Sequence, residues 1–213
     1  MAHITRRNWL MAGGTASALA ASTIALATDA STTKPARTWQ SIPPRELLQR
    51  RHLPNVELVT QDGKKVHFYD DLVKDKIVVI NFMYARCEGI CPTVTANLVR
   101  VQKLLGDRIG KDIFMYSITL NPDQDTPQIL KDYAAMHGVG PGWLYLTGKP
   151  ADIELLRRSL GFTYSDPVED ANKSNHIGML RIGNEPMLAW SACPAQAHTK
   201  WIATSILSEA DNL

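Results

Sequence analysis

The chain has 213 residues, 45% of them hydrophobic and 21% charged, with 23 basic against 21 acidic side chains. This composition excludes a disordered, collagen-like or low-complexity protein, and a net charge of +2 offers nucleic acid no field without a local basic cluster. Three cysteines are too few to staple a scaffold, and a chain of this length buries an ordinary core without them.

In chain order, Thr5-Arg6-Arg7-Asn8-Trp9-Leu10-Met11 precedes a weakly apolar run, Ala12 to Ala27, interrupted by four Ser/Thr and two Gly. Paired arginines, a large apolar pair and mild hydrophobicity ending in Ala25-Leu26-Ala27 resemble a twin-arginine export signal over residues 1–27. An ordinary secretory signal or an uncleaved anchor beside the membrane is the alternative. Either way the domain is expected in the periplasm or cell envelope, where thiols oxidise. Residues 28–52, with Pro35, Pro43, Pro44 and many Ser/Thr, read as a linker in which Arg45 to Arg51 suits a short helical turn. Residues 53–213 form the expected domain.

Val56 to Thr60 and Lys65 to Tyr69 flank Gln61-Asp62-Gly63-Lys64 as a hairpin. Ile77 to Met83 is a β-branched, apolar run suited to a strand buried on both faces. A helix from Thr93 to Leu105 is closed by Gly106, and Asp112 to Leu120 is a second apolar strand. Asp125-Thr126-Pro127 starts a helix that runs to His137 and stops at Gly138. A short strand, Trp143 to Leu146, and a helix, Ala151 to Leu160, follow. His176 to Ile182 and Pro186 to Trp190 then pair around Gly183-Asn184, and a last helix, Ala197 to Glu209, turns Trp201, Ile202, Ser205 and Ile206 inward. Helix crossovers imply parallel strands, so the fold class is α/β: a thioredoxin-like sandwich with an N-terminal β-hairpin and an internal insertion.

The chemistry concentrates at Cys87-Glu88-Gly89-Ile90-Cys91-Pro92, where the buried strand meets a helix. Unpaired amides at a helix start favour thiolate over thiol, with Arg86 adding to this and Glu88 opposing it. The three-residue spacing lets both sulfurs converge on one external point as well as on each other. Paired thiolates suit Cu(I) best among metals outside the cytoplasm, whereas closed zinc sites want four ligands and no second close Cys/His pair is visible. A plain structural disulfide is the bland alternative. His176 opens a strand expected to lie antiparallel beside Ile77–Met83, so its start faces the cysteines and an imidazole there would complete a Cys₂His set, although a histidine at a strand start is, taken alone, more often structural.

From Leu53 to the C-terminus, about 160 residues, the chain resembles the Sco/SenC family of copper-binding assembly factors for cytochrome c oxidase. The matching segments are Val79-Ile80-Asn81-Phe82, Cys87-x-x-x-Cys91-Pro92, Asp123-Gln124-Asp125-Thr126-Pro127 and the late His176. The resemblance implies a thioredoxin-like fold, one copper, Cu(I) or Cu(II), held by Cys87, Cys91 and His176, and a partner in the oxidase's copper-site subunit or another cuproprotein. It implies either copper delivery to the binuclear site or reduction of that site's cysteines; as a thiol–disulfide oxidoreductase the protein would use Cys87 and Cys91 as its redox pair. The chain departs from the family in having Leu120-Asn121 where an acidic residue usually precedes Pro122, in its twin-arginine pattern, and in Cys193. Cys193 is read as an inert buried thiol or, failing that, a resolving thiol or auxiliary ligand. Met83, Met115 and Met179 are read as core, Asp125 as a helix cap, and His52, His67, His137 and His198 as surface. A thiol peroxidase is disfavoured because Met83-Tyr84-Ala85-Arg86 lacks the Pro and Thr of that class. No glycine-rich phosphate loop argues for a nucleotide, and no basic stripe for nucleic acid.

Overall fold

The computed structural model describes residues 41–176 and 178–211. The export segment 1–27 and residues 28–40 of the linker lie outside the described residues. Seven strands form one sheet in the order β2-β1-β5-β4-β3-β6-β7. The hairpin is β1 (Glu57–Thr60) and β2 (Lys65–His67), followed by one wide helical turn at Phe68–Val73. The central strand is β3 (Ile77–Met83), every residue of which is buried, as an apolar β-branched run covered on both faces requires. It pairs in parallel with β4 (Ile113–Thr119), and β4 pairs in parallel with β5 (Trp143–Gly148).

The helices α2 (Cys91–Leu105) and α3 (Pro127–Met136) make the two crossovers. Both steps advance in the same direction across the sheet, so right-handed connections place both helices on one face. There the Thr95 hydroxyl lies 3.0 Å from that of Tyr133, whose ring meets Tyr145 at 5.7 Å. The C-terminal helix α6 (Thr199–Ala210) joins this layer beside α2, through Thr199 donating to Asn97 at 2.6 Å. After β5 the chain returns across the sheet, and α4 (Pro150–Ser159) covers the opposite face with Ile153, Leu156 and Arg157 buried. Beneath α2 and α3, Trp143 donates to Ser117 at 2.9 Å and Ser117 to Asn81 at 2.7 Å, tying β5, β4 and β3 together through buried polar groups that are all partnered.

The thioredoxin-like architecture with an added hairpin is as expected; several boundaries are not. The helical turn expected at Arg45 to Arg51 is a helix, α1 (Pro44–His52), but it is not mere linker: its Arg45 reaches Glu185 at the far end of the sheet, Nε to Oε1 at 2.7 Å. Gly183-Asn184 is not a turn. Both residues belong to β6 (Met179–Asn184), opposite Trp190 and Ala189 of β7 (Ala189–Pro194), and the chain reverses at Glu185–Leu188. Glycine is needed at 183 because a Cβ there would come within 2.4 Å of the Trp190 ring, so this is a packing glycine. Asn184 is buried and donates to the Glu209 carbonyl at 2.7 Å.

The polar stretch 165–175 is more ordered than its composition suggests. Asp166 caps a short helix, α5 (Pro167–Ala171), by accepting from the Val168 amide at 2.8 Å, and a tight turn at Lys173–His176 follows. His176 therefore ends a turn instead of opening a strand, which begins at Met179. Met179 is 39% exposed, against the expectation that it packs in the core, while Met83 and Met115 are buried. Trp201, expected inside, is half exposed; Ile202, Ala203 and Ile206 form the inner side of α6.

Candidate metal centre

The carboxyl ends of β3 and β4 and the approach to β6 meet at one rim of the sheet. Cys87 follows β3 in a tight loop, and Cys91 is the first residue of α2, with Pro92 in the first turn where no amide hydrogen is wanted. Both cysteines are reduced, and both are buried, at 7% and 1% exposure.

Their environments pull apart. Burial works to raise the Cys87 thiol, but hydrogen bonds from the Cys91 side chain and amide, the Tyr84 hydroxyl and the Gly89 amide outweigh it and lower the thiol below its usual range. Cys91 is pushed up to about 12 by burial, with the neighbouring Cys87 and Asp125 charges adding. The pair is thus unequal: the Cys87 thiol is the more acidic and the Cys91 thiol the less. Arg86 and Glu88, weighed above as opposing influences, are both exposed, and the helix-end amide predicted to act does act.

Two supporting residues were not foreseen. Tyr84 spans the rim: its hydroxyl serves Cys87 and lies 3.3 Å from Ser174 Oγ in the turn that carries His176. Asp125 is buried at 1% exposure; Oδ2 accepts from the Ala85 amide at 3.1 Å and from the Thr119 hydroxyl, while Oδ1 has no partner. It braces the cysteine loop. The helix cap assigned to it belongs to Thr126, which accepts from Ile129 at 3.3 Å. The signal was present, because Thr126 immediately before Pro127 occupies the capping position and leaves Asp125 unassigned.

His176 is buried at 2% exposure, yet its ring is not directed at the sulfurs. Nδ1 lies 3.1 Å from the Asn172 carbonyl, which can only accept. Nε2 lies 2.5 Å from Arg157 Nη1 and 3.1 Å from Asp170 Oδ1. Among the described residues no group of three or more His, Cys, Asp or Glu side chains is placed to hold a metal ion. In this conformation the two cysteines meet while the imidazole satisfies its buried nitrogens on α4 and the α5 segment, so Cys87, Cys91 and His176 are not brought together here. The donor chemistry still fits a soft ion, with two sulfurs in hydrogen-bond contact and the Cys87 thiol made the easier to ionise. Cys193, opposite Leu180 in β7, is buried and its thiol is pushed up to about 11 by desolvation, as an inert core thiol would be.

Such a sheet, with paired cysteines at a strand-to-helix rim, defines a thioredoxin-like protein with a dithiol centre. The SCO1/SenC family model matches residues 46–203, and the chain belongs to that family. It is 34% identical over 89 residues to the SCO1 protein homolog of Bacillus subtilis, covering 41% of this chain and 45% of that protein. The structure of Arabidopsis thaliana ScoI with copper bound superposes with a TM-score of 0.57 at 20% identity, over 74% of this chain and 96% of that one. BsSco, described as a member of the Sco family of cytochrome c oxidase assembly proteins with a disulfide switch, gives 0.61 at 23% identity, over 76% and 95%. The chain spans between 45% and 66% of the length of the first curated relatives it matches.

Proposed function

We propose that the protein is an exported copper metallochaperone that carries copper on Cys87, Cys91 and His176 to the copper site of cytochrome c oxidase or another cuproprotein. The observation that carries this reading is the free Cys87–Cys91 pair, one thiol lowered and the other raised, at the end of a fully buried strand. Membership of a family whose relatives include a protein solved with copper supports it. Cys87 supplies the first soft donor, and Cys91 the second once its proton leaves. Cys87, in the loop at the sheet rim, is the less buried of the two sulfurs and so the one an incoming thiol meets first. The twin-arginine pattern of residues 1–27 supports export, and no described helix is long and apolar enough to cross a membrane.

The second reading, a thiol–disulfide oxidoreductase, is favoured by the same split in thiol acidity. The Cys87 thiolate attacks a partner disulfide and releases one partner thiolate; Cys91 then loses its proton, attacks Cys87, and releases the second. Two electrons pass, and the Cys87–Cys91 disulfide forms.

Titration of the reduced chain with Cu(I), with bound metal counted in wild type, Cys87→Ala, Cys91→Ala and His176→Ala, separates the readings. About one copper per chain, lost in either cysteine variant and weakened in His176→Ala, is expected for a Cys₂His site. Absence of copper with rapid reduction of a disulfide substrate establishes the oxidoreductase in its place.

A further inference from the structure

Arg157 is a buried guanidinium on α4, and its contacts are unusual for an ion pair. Nη2 donates to Asp170 Oδ2 at 2.7 Å and to Glu154, while Nη1, with two hydrogens, lies within reach of the Phe162 carbonyl at 2.6 Å, Asp170 Oδ1 at 2.9 Å and His176 Nε2 at 2.5 Å. The Asn172 carbonyl requires a proton on Nδ1, and arginine does not give up its own. In the neutral ring Nε2 then carries the lone pair and Arg157 Nη1 is the donor within reach of it, so the lone pair a metal would take faces a protein cation. Asp170 Oδ1, close to the same nitrogen, is satisfied by the guanidinium.

Beyond these contacts, the segment bearing His176 is held by the Tyr164 hydroxyl, which donates to the Asn175 carbonyl at 3.0 Å, and by Tyr84, whose hydroxyl lies 3.3 Å from Ser174 Oγ. None of the α5 residues is buried, and Val168 is 80% exposed. Asp170, by pairing with Arg157 and accepting from the Tyr164 amide at 2.8 Å, is its main anchor to the body of the domain. A groove of about 490 Å³, bordered by Asp123, Arg157, Pro167, Asp170 and His176, lies beside it.

We propose that Arg157 is a place-holding cation: with Asp170 it latches the His176 imidazole in the metal-free protein. Copper then meets the two sulfurs first and gains the imidazole only when Arg157 yields it. The inference rests on the reading of His176 as the third ligand. No proton changes hands in the exchange: the Nε2 lone pair leaves an arginine N–H for the metal, and the guanidinium keeps Asp170 and Glu154. Arg157 is thus a positioning residue that sets the order of ligand engagement, and the tether through Tyr84 to Ser174 keeps the released turn near the thiolate.

The test uses the full reduced chain and Cu(I) in competition with a colorimetric Cu(I) chelator. Wild type, Arg157→Met/Asp170→Asn, and each with His176→Ala added are compared. If the unlatched ring is a minor state in wild type, the double variant binds copper about tenfold or more tightly, and His176→Ala abolishes the gain. Affinity equal to wild type in the double variant, with His176→Ala weakening both backgrounds equally, overturns the latch and leaves the ligand assignment standing. No effect of His176→Ala in either background ends both. A measurement on wild type alone covers the case in which the double variant fails to fold. One equivalent of Cu(I) is expected to shift the guanidinium NMR signals of Arg157 and the ring signals of His176 together. A His176 shift with Arg157 unmoved overturns the proposal.

Discussion

At the scale of residues, two thiols four positions apart are made chemically unequal by their surroundings. The sulfur in the loop receives hydrogen bonds, and the sulfur in the helix is mainly desolvated. Alkylation of the reduced protein with iodoacetamide near neutral pH is therefore expected to label Cys87 well ahead of Cys91 and Cys193, read by peptide mass spectrometry. Equal labelling of Cys87 and Cys91 contradicts the assignment. Because Cys87 is lowered, its thiolate persists to lower pH than a free cysteine, and the labelling rate holds as pH falls until that lowered value is crossed. Cys193→Ser leaves copper stoichiometry unchanged and costs about 1–3 kcal/mol in unfolding experiments, through a hydroxyl buried in place of a thiol.

At the scale of elements, the end of the sheet away from the cysteines is secured by one carboxylate. Glu185 is fully buried; it accepts from Arg45 of α1, from the Tyr69 hydroxyl at 2.9 Å and from the Asp75 amide at 2.8 Å. Burial works to raise its pKa, but these donors outweigh it and bring it below the ordinary 4.5. A depressed carboxylate contributes stability above its unfolded-state pKa and loses it as pH falls through the folded value. The difference in urea midpoint between wild type and Glu185→Gln is thus expected to shrink from ~pH 6 to ~pH 3, and a pH-independent difference refutes the linkage. Arg45→Ala costs about 1–2 kcal/mol, since Arg45 is half solvated and the other donors remain. On the same sheet, the loops entering β4 and β5 cross at Gly110 and Gly142. Gly142 has φ of +81°, and a Cβ there would stand 2.6 Å from the Gly110 nitrogen, which is backbone and cannot swing away. Gly142→Ala is expected to destabilise by about 2–3 kcal/mol, measured by denaturant unfolding.

At the scale of the whole molecule, one domain joins a fully buried central strand to the polar segment that carries His176. Metal bound by the native state alone must raise its stability: with free Cu(I) held by a chelator at about a hundredfold above the dissociation constant, the gain is about 2.7 kcal/mol. Calorimetry is expected to show that increase in wild type and none in Cys87→Ala, and an equal increase in both removes the cysteines from the site. The sequence by itself determined the parallel core, because β-branched runs broken by capped helices leave few other arrangements. It also determined the dithiol, because the cysteines lie within one loop and their encounter needs no distant contact. Only the tertiary structure decided the roles of Asp125, Gly183 and His176. Asp125 was legible as a cap but is a brace, since only the fold brings the Ala85 amide to it. Gly183 was legible as a turn but is a packing site, since only the fold lays Trp190 against it. The imidazole follows the same rule: a buried nitrogen takes the nearest partner in space, and residues 19 apart in the chain bring Arg157 to His176 before any metal arrives.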